Sequence, residues 1–516
     1  SNLEELYLDD NKFSGPFPPE IGNMTGLRLF SMETNDMFGS LPSQFAQLSK
    51  LSSLRLSRNN LGKKEDGGSN ILPIPDVLYG LTNLEYLSLR GNGFTLRISS
   101  DIANLAKLEY VSLASNELTG PIPASIVWPR QLHSINFGDN KLSGSLPESL
   151  FDIPALHTLS LSHNALTGTL STSLSKFSAL EDFSISSNQM FGPLPEAWNC
   201  PNLEGLVISH NFFTGSLPSS LGDLTGLNFI EIHDNCFFGS LPNSLEKIPR
   251  LYNFDCAENS FTGKLTNFPM GYLSFLPFLN LEIVTISDNE LTGTIPNDAI
   301  LSQLQAFRAY NNYISGTLPS WLGDIPRMDL LLLQSNHLEG SNLQHFFKED
   351  SHLEHLDLSD NFFNGLLPKS VWSIRSLRTV LSNTILNGDF DINMCYPASC
   401  RDNDVDYSIT KYFPDLHLFT EKLPQCLFQI DSLKELYLSG NGLTGELPSL
   451  PNSSALEILN LKNNYLAGRI PGSYFKHYFH SIDLSGNKLT GGLKQPITEY
   501  DNIDYSLNRI SGEIPS

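Results

Sequence analysis

The sequence holds 516 residues, with 32 Lys and Arg against 55 Asp and Glu, so the formal net charge is −23 and the isoelectric point lies near 4.8. That balance excludes nucleic acid and argues against an anionic membrane surface as partner, because both want a basic face; 40% hydrophobic and only 17% charged residues exclude a disordered chain. Six cysteines are too few for a disulfide scaffold of this length, and the longest apolar stretch, Met270 to Ile286, is broken by Pro277, Asn280 and Glu282, so any membrane attachment lies in segments outside this chain.

From the first residues onward the text repeats. An Asn recurs at Asn11, Asn35, Asn59, Asn92 and Asn116, continues at this spacing to Asn361, and resumes from Asn441 to Asn508. Nine of the intervals are 24 residues, a period that means one solenoid and not a set of separate domains. Around each Asn stands L-x-x-L-x-L-x-x-N-x-L-x-G-x-[IL]-P, as in Leu132, Ile135, Phe137, Asn140, Leu142, Gly144, Leu146 and Pro147. A degenerate repeat spans Leu377 to Gly388, with Thr384 in the Asn position.

Each repeated residue has a physical task. The alternating Leu positions place one face of a short strand inward, and that face is buried only when neighbours stack on it. The Asn side chain, both donor and acceptor, satisfies backbone groups freed where the strand turns. Gly, present four residues after the Asn in 17 of 19 repeats, permits positive φ at the next bend. Pro then ends pairing. A segment such as Ser149 to Leu156 returns on the convex side with apolar residues at helical spacing.

The extension Leu118, Gly120, Ile122, Pro123, seen again as Leu291, Gly293, Ile295, Pro296, resembles the plant-type leucine-rich repeat. The resemblance implies an α/β solenoid, a superhelix of about 20 repeats of about 24 residues, with a concave parallel sheet and a second short strand after each Asn. Plant receptor kinases, receptor-like proteins and polygalacturonase-inhibiting proteins carry such repeats, and fold alone does not choose among them.

Three interruptions break the rhythm. The first, near residues 62–70, is rich in Gly and charge and reads as a surface loop. The second, near 271–278, is aromatic and apolar and suits the convex side. The third divides the chain into repeats over 1–388, an insertion over 389–422 and four last repeats over 423–516. Its position is similar to the island of brassinosteroid and phytosulfokine receptors, which folds over the concave face and helps to form the ligand site. Within it Cys395 and Cys400 are close enough to bridge, with Cys426 as a competing partner and two free thiols as the alternative. Asp402, Asp404 and Asp406 alternate like the opening of a calcium loop. Tyr407 and Phe413 stand where that loop needs Gly and Glu, so the stretch reads as a solvated acidic turn.

Outward residues of the strands form columns. Early repeats offer Arg55, Arg58, Tyr86, Arg90 and Tyr110; the middle offers Glu231, His233, Asp234, Asp255, Glu258 and Asp288. Before the insertion come Arg308, Tyr310, Leu330, Leu332, Gln334, His355 and Asp357. An outward Leu330 and Leu332 need a partner, either a ligand or the insertion's own Tyr407, Tyr412 and Phe413. Peptide receptors of this family often grip a peptide carboxylate with Arg-x-Arg; here the nearest match, Arg308-Ala309-Tyr310, lacks the second Arg. His163, His210 and His233 fall on different repeats with no nucleophile set beside them, and neither a phosphate loop nor zinc spacing occurs, so no enzyme, metal or cofactor is expected.

Asn23-Met24-Thr25 and Asn452-Ser453-Ser454 are glycosylation sequons, which with the plant-type repeat suggest an extracellular or cell-surface protein. The chain opens and stops inside repeats, with no paired-Cys cap at either end, which reads as an excerpt or as ends covered by partners. The expected function is recognition of a peptide, small-molecule or protein ligand between concave face and insertion, with a co-receptor near the last repeats. An inhibitor of a wall-degrading enzyme and a self-assembling structural scaffold are the alternatives.

Overall fold

The computed structural model describes residues 2–63, 72–265, 280–297, 301–342, 352–353, 355–358, 361–366, 379–381, 409–412, 428, 433–437, 443–454, 456–494 and 502–513. They fall in two compact units, Ser1–Phe261 and Thr262–Ser516. In the first unit each repeat contributes one three-residue strand to a parallel main sheet. The order follows the sequence, from Glu5–Tyr7 through Tyr110–Ser112 and Ser134–Asn136 to Asn253–Asp255. Register is kept from rung to rung: Ile135 pairs with Val111 on one side and Leu159 on the other. Side chains alternate as the Leu pattern predicts. Ile135 and Phe137 are wholly buried, while Ser134 and Asn136 at the alternate positions are only half-buried.

The second unit repeats this arrangement from Ile283–Thr285 to Asn502–Asp504. Ile409–Tyr412, inside the stretch expected as an insertion, pairs in parallel with Thr379–Leu381 and with Leu433–Tyr437, so these four residues form a rung of the main sheet. The 271–278 interruption and the cysteines 395, 400 and 426 lie outside the described residues, as do Tyr407 and Phe413. Of the 62–70 interruption, Gly62 and Lys63 are described, and both backbones bond into neighbouring repeats: Gly62 N–H donates to Asn92 O, and Lys63 O accepts from Gly39 N–H.

After most ladder Asn residues the described chain forms a second short strand, as the resemblance implies; after Asn59 and Asn441 there are only single bridges, at Asn60 and Glu446. Glu117–Gly120, Lys141–Gly144 and Ala165–Gly168 pair in parallel in the first unit, and Tyr313–Gly316 pairs with Thr292–Thr294 in the second. Most described returning segments are 3-10 turns of five residues, such as Glu148–Asp152 and Ser219–Asp223; those after Pro123 and Pro195 have none, and Tyr474–Lys476 is shorter. Stacking explains why they are not α-helices. Successive rungs are about 4.8 Å apart, whereas an α-helix with side chains is about 10 Å wide; the tighter turn fits the repeat distance. Packing there is close enough that a Cβ on Gly222 would meet the Ser244 carbonyl oxygen at 2.0 Å.

The ladder Asn residues hold the rungs together. Asn116 Nδ2 donates to Leu89 O at 3.1 Å, Leu113 O at 2.9 Å and Ala114 O at 3.1 Å, while its Oδ1 accepts from Asn92 N and Phe94 N. Asn312 in the second unit does the same with Ile286 O, Ala309 O, Tyr310 O and Leu291 N. Beneath them Phe213, Phe237 and Phe261 stack at 6.1 and 6.0 Å, the repeated aromatic contacts of a core that each rung extends. Among the described residues no helix is long and apolar enough to cross a membrane.

Candidate functional site

In the second unit, strand register decides which outward residues meet. Ala306–Arg308 pairs with Leu330–Leu332, and that strand pairs with His355–Asp357. Arg308, Leu332 and Asp357 therefore form one cross-strand row, and Ala306, Leu330 and His355 the next. Arg308 begins its row beside Thr285, whose hydroxyl accepts from Nη1 at 3.5 Å. The rows bring a cation, two Leu side chains, an imidazole and a carboxylate together at cross-strand distance.

Leu330 and Leu332 are half-buried, not fully exposed, because the flanking rows cover their sides. Asp357 is 5% exposed although it points outward. Tyr310 and Gln334 continue the columns past the strand ends, both half-buried. Gln334 Oε1 is buried without a hydrogen-bond partner, a costly state for an amide oxygen. Tyr412 joins the main sheet opposite Leu381 and Tyr437.

The first unit carries a second cluster, built from the early column. Tyr86 and Tyr110 stack face to face at 4.2 Å with planes 3° apart, and the Arg55 guanidinium lies 4.5 Å over the Tyr86 ring. Burial, then the neighbouring Tyr110, pushes the Tyr86 phenol up to about 12, so it stays neutral at physiological pH. These three residues with Glu85, Glu109 and His133 line a shallow hollow of about 300 Å³. Arg90 lines a neighbouring polar hollow, with Ser160, Ser162 and His163.

Cys256 is fully buried with its thiol raised by burial, and Cys236 is exposed beside its ladder Asn. Asp255 caps its own turn, its Oδ1 accepting from Ala257 N at 3.1 Å. Reading the sequence residue by residue missed the partnership of His210 with His233, whose Nε2 atoms stand 3.3 Å apart; their 23-residue spacing, one repeat, is the signal that finds it. No set of three or more His, Cys, Asp or Glu side chains gathers as metal ligands among the described residues.

The leucine rich repeat profile matches residues 2–24, 83–105, 155–177, 202–224, 352–374 and 432–453. The chain is built of leucine-rich repeats. Receptor-like protein 35 of Arabidopsis thaliana is 31% identical over 254 residues, 47% of this chain and 26% of that protein. Cuscuta receptor 1 of Solanum lycopersicum is 28% identical over 236 residues, 43% of this chain and 20% of that protein. The leucine-rich-repeat chain thus spans no more than 26% of these two relatives' length. The crystal structure of a TDR receptor matches with a TM-score of 0.82 at 25% identity, covering 100% of this chain and 90% of that one. The Arabidopsis receptor kinase HAESA, solved with the peptide hormone IDA and the co-receptor SERK1, matches at 0.74 and 25% identity over 100% of this chain and 88% of that one. The relatives are plant receptor-like proteins, and these neighbours are plant leucine-rich-repeat receptors.

Proposed function

We propose that this chain is an extracellular receptor-like ectodomain that binds an extended peptide along the rows formed by Arg308, Leu330, Leu332, His355 and Asp357. The observation that carries the reading is the row register: an apolar pair beside Arg308 on one strand and His355 on another gives side-chain pockets and a positive charge for a peptide lying across the rungs, with the buried Asp357 closing the row beneath it. Support comes from the HAESA complex with a peptide hormone and from the PEPR1–AtPEP1 structure, which has a TM-score of 0.75 and 25% identity. Tyr310 and Gln334 extend the contact surface, Tyr412 adds to it from its own rung of the sheet, and the rest of residues 389–422, with Tyr407, Phe413 and a Cys395–Cys400 bridge, supplies its cover. A co-receptor docks near residues 423–516. Asn23 and Asn452, both exposed, carry glycans on the secreted protein.

The test pans a displayed library of extended peptides on the full chain and on a Leu330→Asp, Leu332→Asp variant. Peptides selected by the parent chain should bind the variant at least about tenfold more weakly, 1.4 kcal/mol, while thermal unfolding shows the variant folded. Equal binding to both would overturn the assignment. Selection that depends on the acidic residues 181–258 and collapses with salt would move the function toward a charge-clamped protein target.

A further inference from the structure

His210 and His233 come from successive repeats, and their backbones are tied by a bond from His210 N–H to His233 O at 3.0 Å. The rings meet edge to face, centroids 4.8 Å apart and planes at 88°. Their Nε2 atoms face each other at 3.3 Å. Each ring has a carboxylate behind it. His210 Nδ1 lies 2.5 Å from Asp234 Oδ2. His233 Nδ1 is buried, makes no hydrogen bond, and stands 3.5 Å from Asp255 Oδ2, an ion-pair distance.

The Asp234 carboxylate holds a proton on His210 Nδ1 and leaves its Nε2 a lone pair. His233 Nδ1 makes no hydrogen bond, so its ring donates from Nε2 to that lone pair across 3.3 Å, just beyond the usual hydrogen-bond range of about 2.7 to 3.2 Å. A metal ion that displaces this proton takes both nitrogens as ligands. A tetrahedral ion with metal–nitrogen bonds of about 2.0 to 2.1 Å sets two nitrogen ligands about 3.3 Å apart. Asp234 takes the place of the outer partner that fixes the tautomer and orientation of a metal-binding imidazole, and Asp255, 3.5 Å behind His233 Nδ1, stands ready to receive that ring's proton when Nε2 binds a metal. Charge agrees: from Glu181 to Glu258 the sequence has ten Asp and Glu against Lys247 and Arg250, a field that gathers cations.

We propose that His210 and His233 form a two-histidine site for a divalent first-row transition ion, with Asp234 and Asp255 as positioning residues behind the rings. The side chain of His210 is 52% exposed, so the remaining coordination positions open to solvent and accept water or a group from a partner. The site lies in the first unit and is independent of the peptide reading.

Calorimetric titration of the metal-free full chain with ZnCl2, and then CuCl2, tests this. We expect one saturable site per chain, with copper tighter than zinc as the divalent series requires, and a copper EPR signal split by two nitrogens. His210→Ala or His233→Ala removes the saturable phase. Asp234→Asn weakens it about ten- to a hundredfold without removing it. His133→Ala leaves it unchanged; His133 belongs to a separate pair, its ring tilted 45° to that of His157, whose Nδ1 is held by the Ala155 carbonyl. Circular dichroism of each variant confirms the fold. Uptake that persists in the His210→Ala, His233→Ala double variant, or no saturable uptake by the parent chain, would overturn the proposal.

Discussion

At the scale of single residues, the backbone imposes one conformation on many side-chain types. The residue before the ladder Asn is left-handed in repeat after repeat, with φ of 55° at Ser115, 53° at Asp139, 56° at His163 and 53° at Glu258. Glycine stands there three times, as Gly91, Gly440 and Gly486. The sequence hides this bend because the Asn bonds hold the turn whatever side chain stands before it, against a cost of about 1–2 kcal/mol for an L-residue. The bend four residues after the Asn is legible, because Gly marks it. Its two exceptions separate: Leu96 keeps the left-handed backbone at φ 68°, whereas Lys63 does not. Leu96 is 47% exposed, so removing its side chain loses little burial. Leu96→Gly should therefore raise stability by about 0.5–1 kcal/mol, the strain relieved less the extra unfolded-state freedom of glycine. Denaturant unfolding decides it: an unchanged or lowered midpoint would show that Leu96 is not strained.

At the scale of the repeat, the ladder Asn is the joint between rungs. Asn116 satisfies carbonyls of its own repeat and of the preceding one, and its oxygen receives two N–H groups from the preceding repeat. Asn116→Ala removes every one of these partners at a position 7% exposed. Each buried backbone group left unpaired costs about 1–3 kcal/mol, and water relieves part of that, so a loss of about 3 kcal/mol or more is expected in chemical unfolding. A loss below about 1 kcal/mol would mean that the turn holds itself. Periodicity made this element legible: strand, Asn, Gly and Pro each have a fixed offset. The 3-10 form of the returning segment was not legible, since its apolar spacing suits any helix and only the rung separation selects the tighter one. The candidate rows were legible in the same way. Arg308, Leu332 and Asp357 are 24 and 25 residues apart, and stacking turns that interval into adjacency. Taken one repeat at a time, His210 and His233 look like isolated outward residues; their meeting follows from the same interval.

At the scale of the whole molecule, charge is the term that repeats do not average away. The net −23 is unevenly placed, and the run from Glu181 to Glu258 has almost no cations to offset it. Asp182 shows the local consequence. Loss of hydration, then the neighbouring Glu181 and Glu204, raises its carboxyl above the ordinary carboxylate value. The sign follows from linkage: a carboxyl raised in the folded state binds its proton more readily there than in the unfolded chain, so ionisation at neutral pH weakens the fold. That penalty is present above the folded value and vanishes below the unfolded one, where both states are protonated. Asp182→Asn keeps the shape and removes the charge. Its melting temperature should exceed that of the parent at pH 7 in low salt, and the difference should close as pH falls through the carboxylate range. Salt near 0.1 M, with a screening length of about 10 Å, should shrink the gain by weakening the repulsion from Glu181 and Glu204, leaving the hydration part. A variant less stable than the parent at pH 7, or a gain that persists at acid pH, would show that Asp182 serves the fold as an ion and that the acidic run is tolerated for another reason.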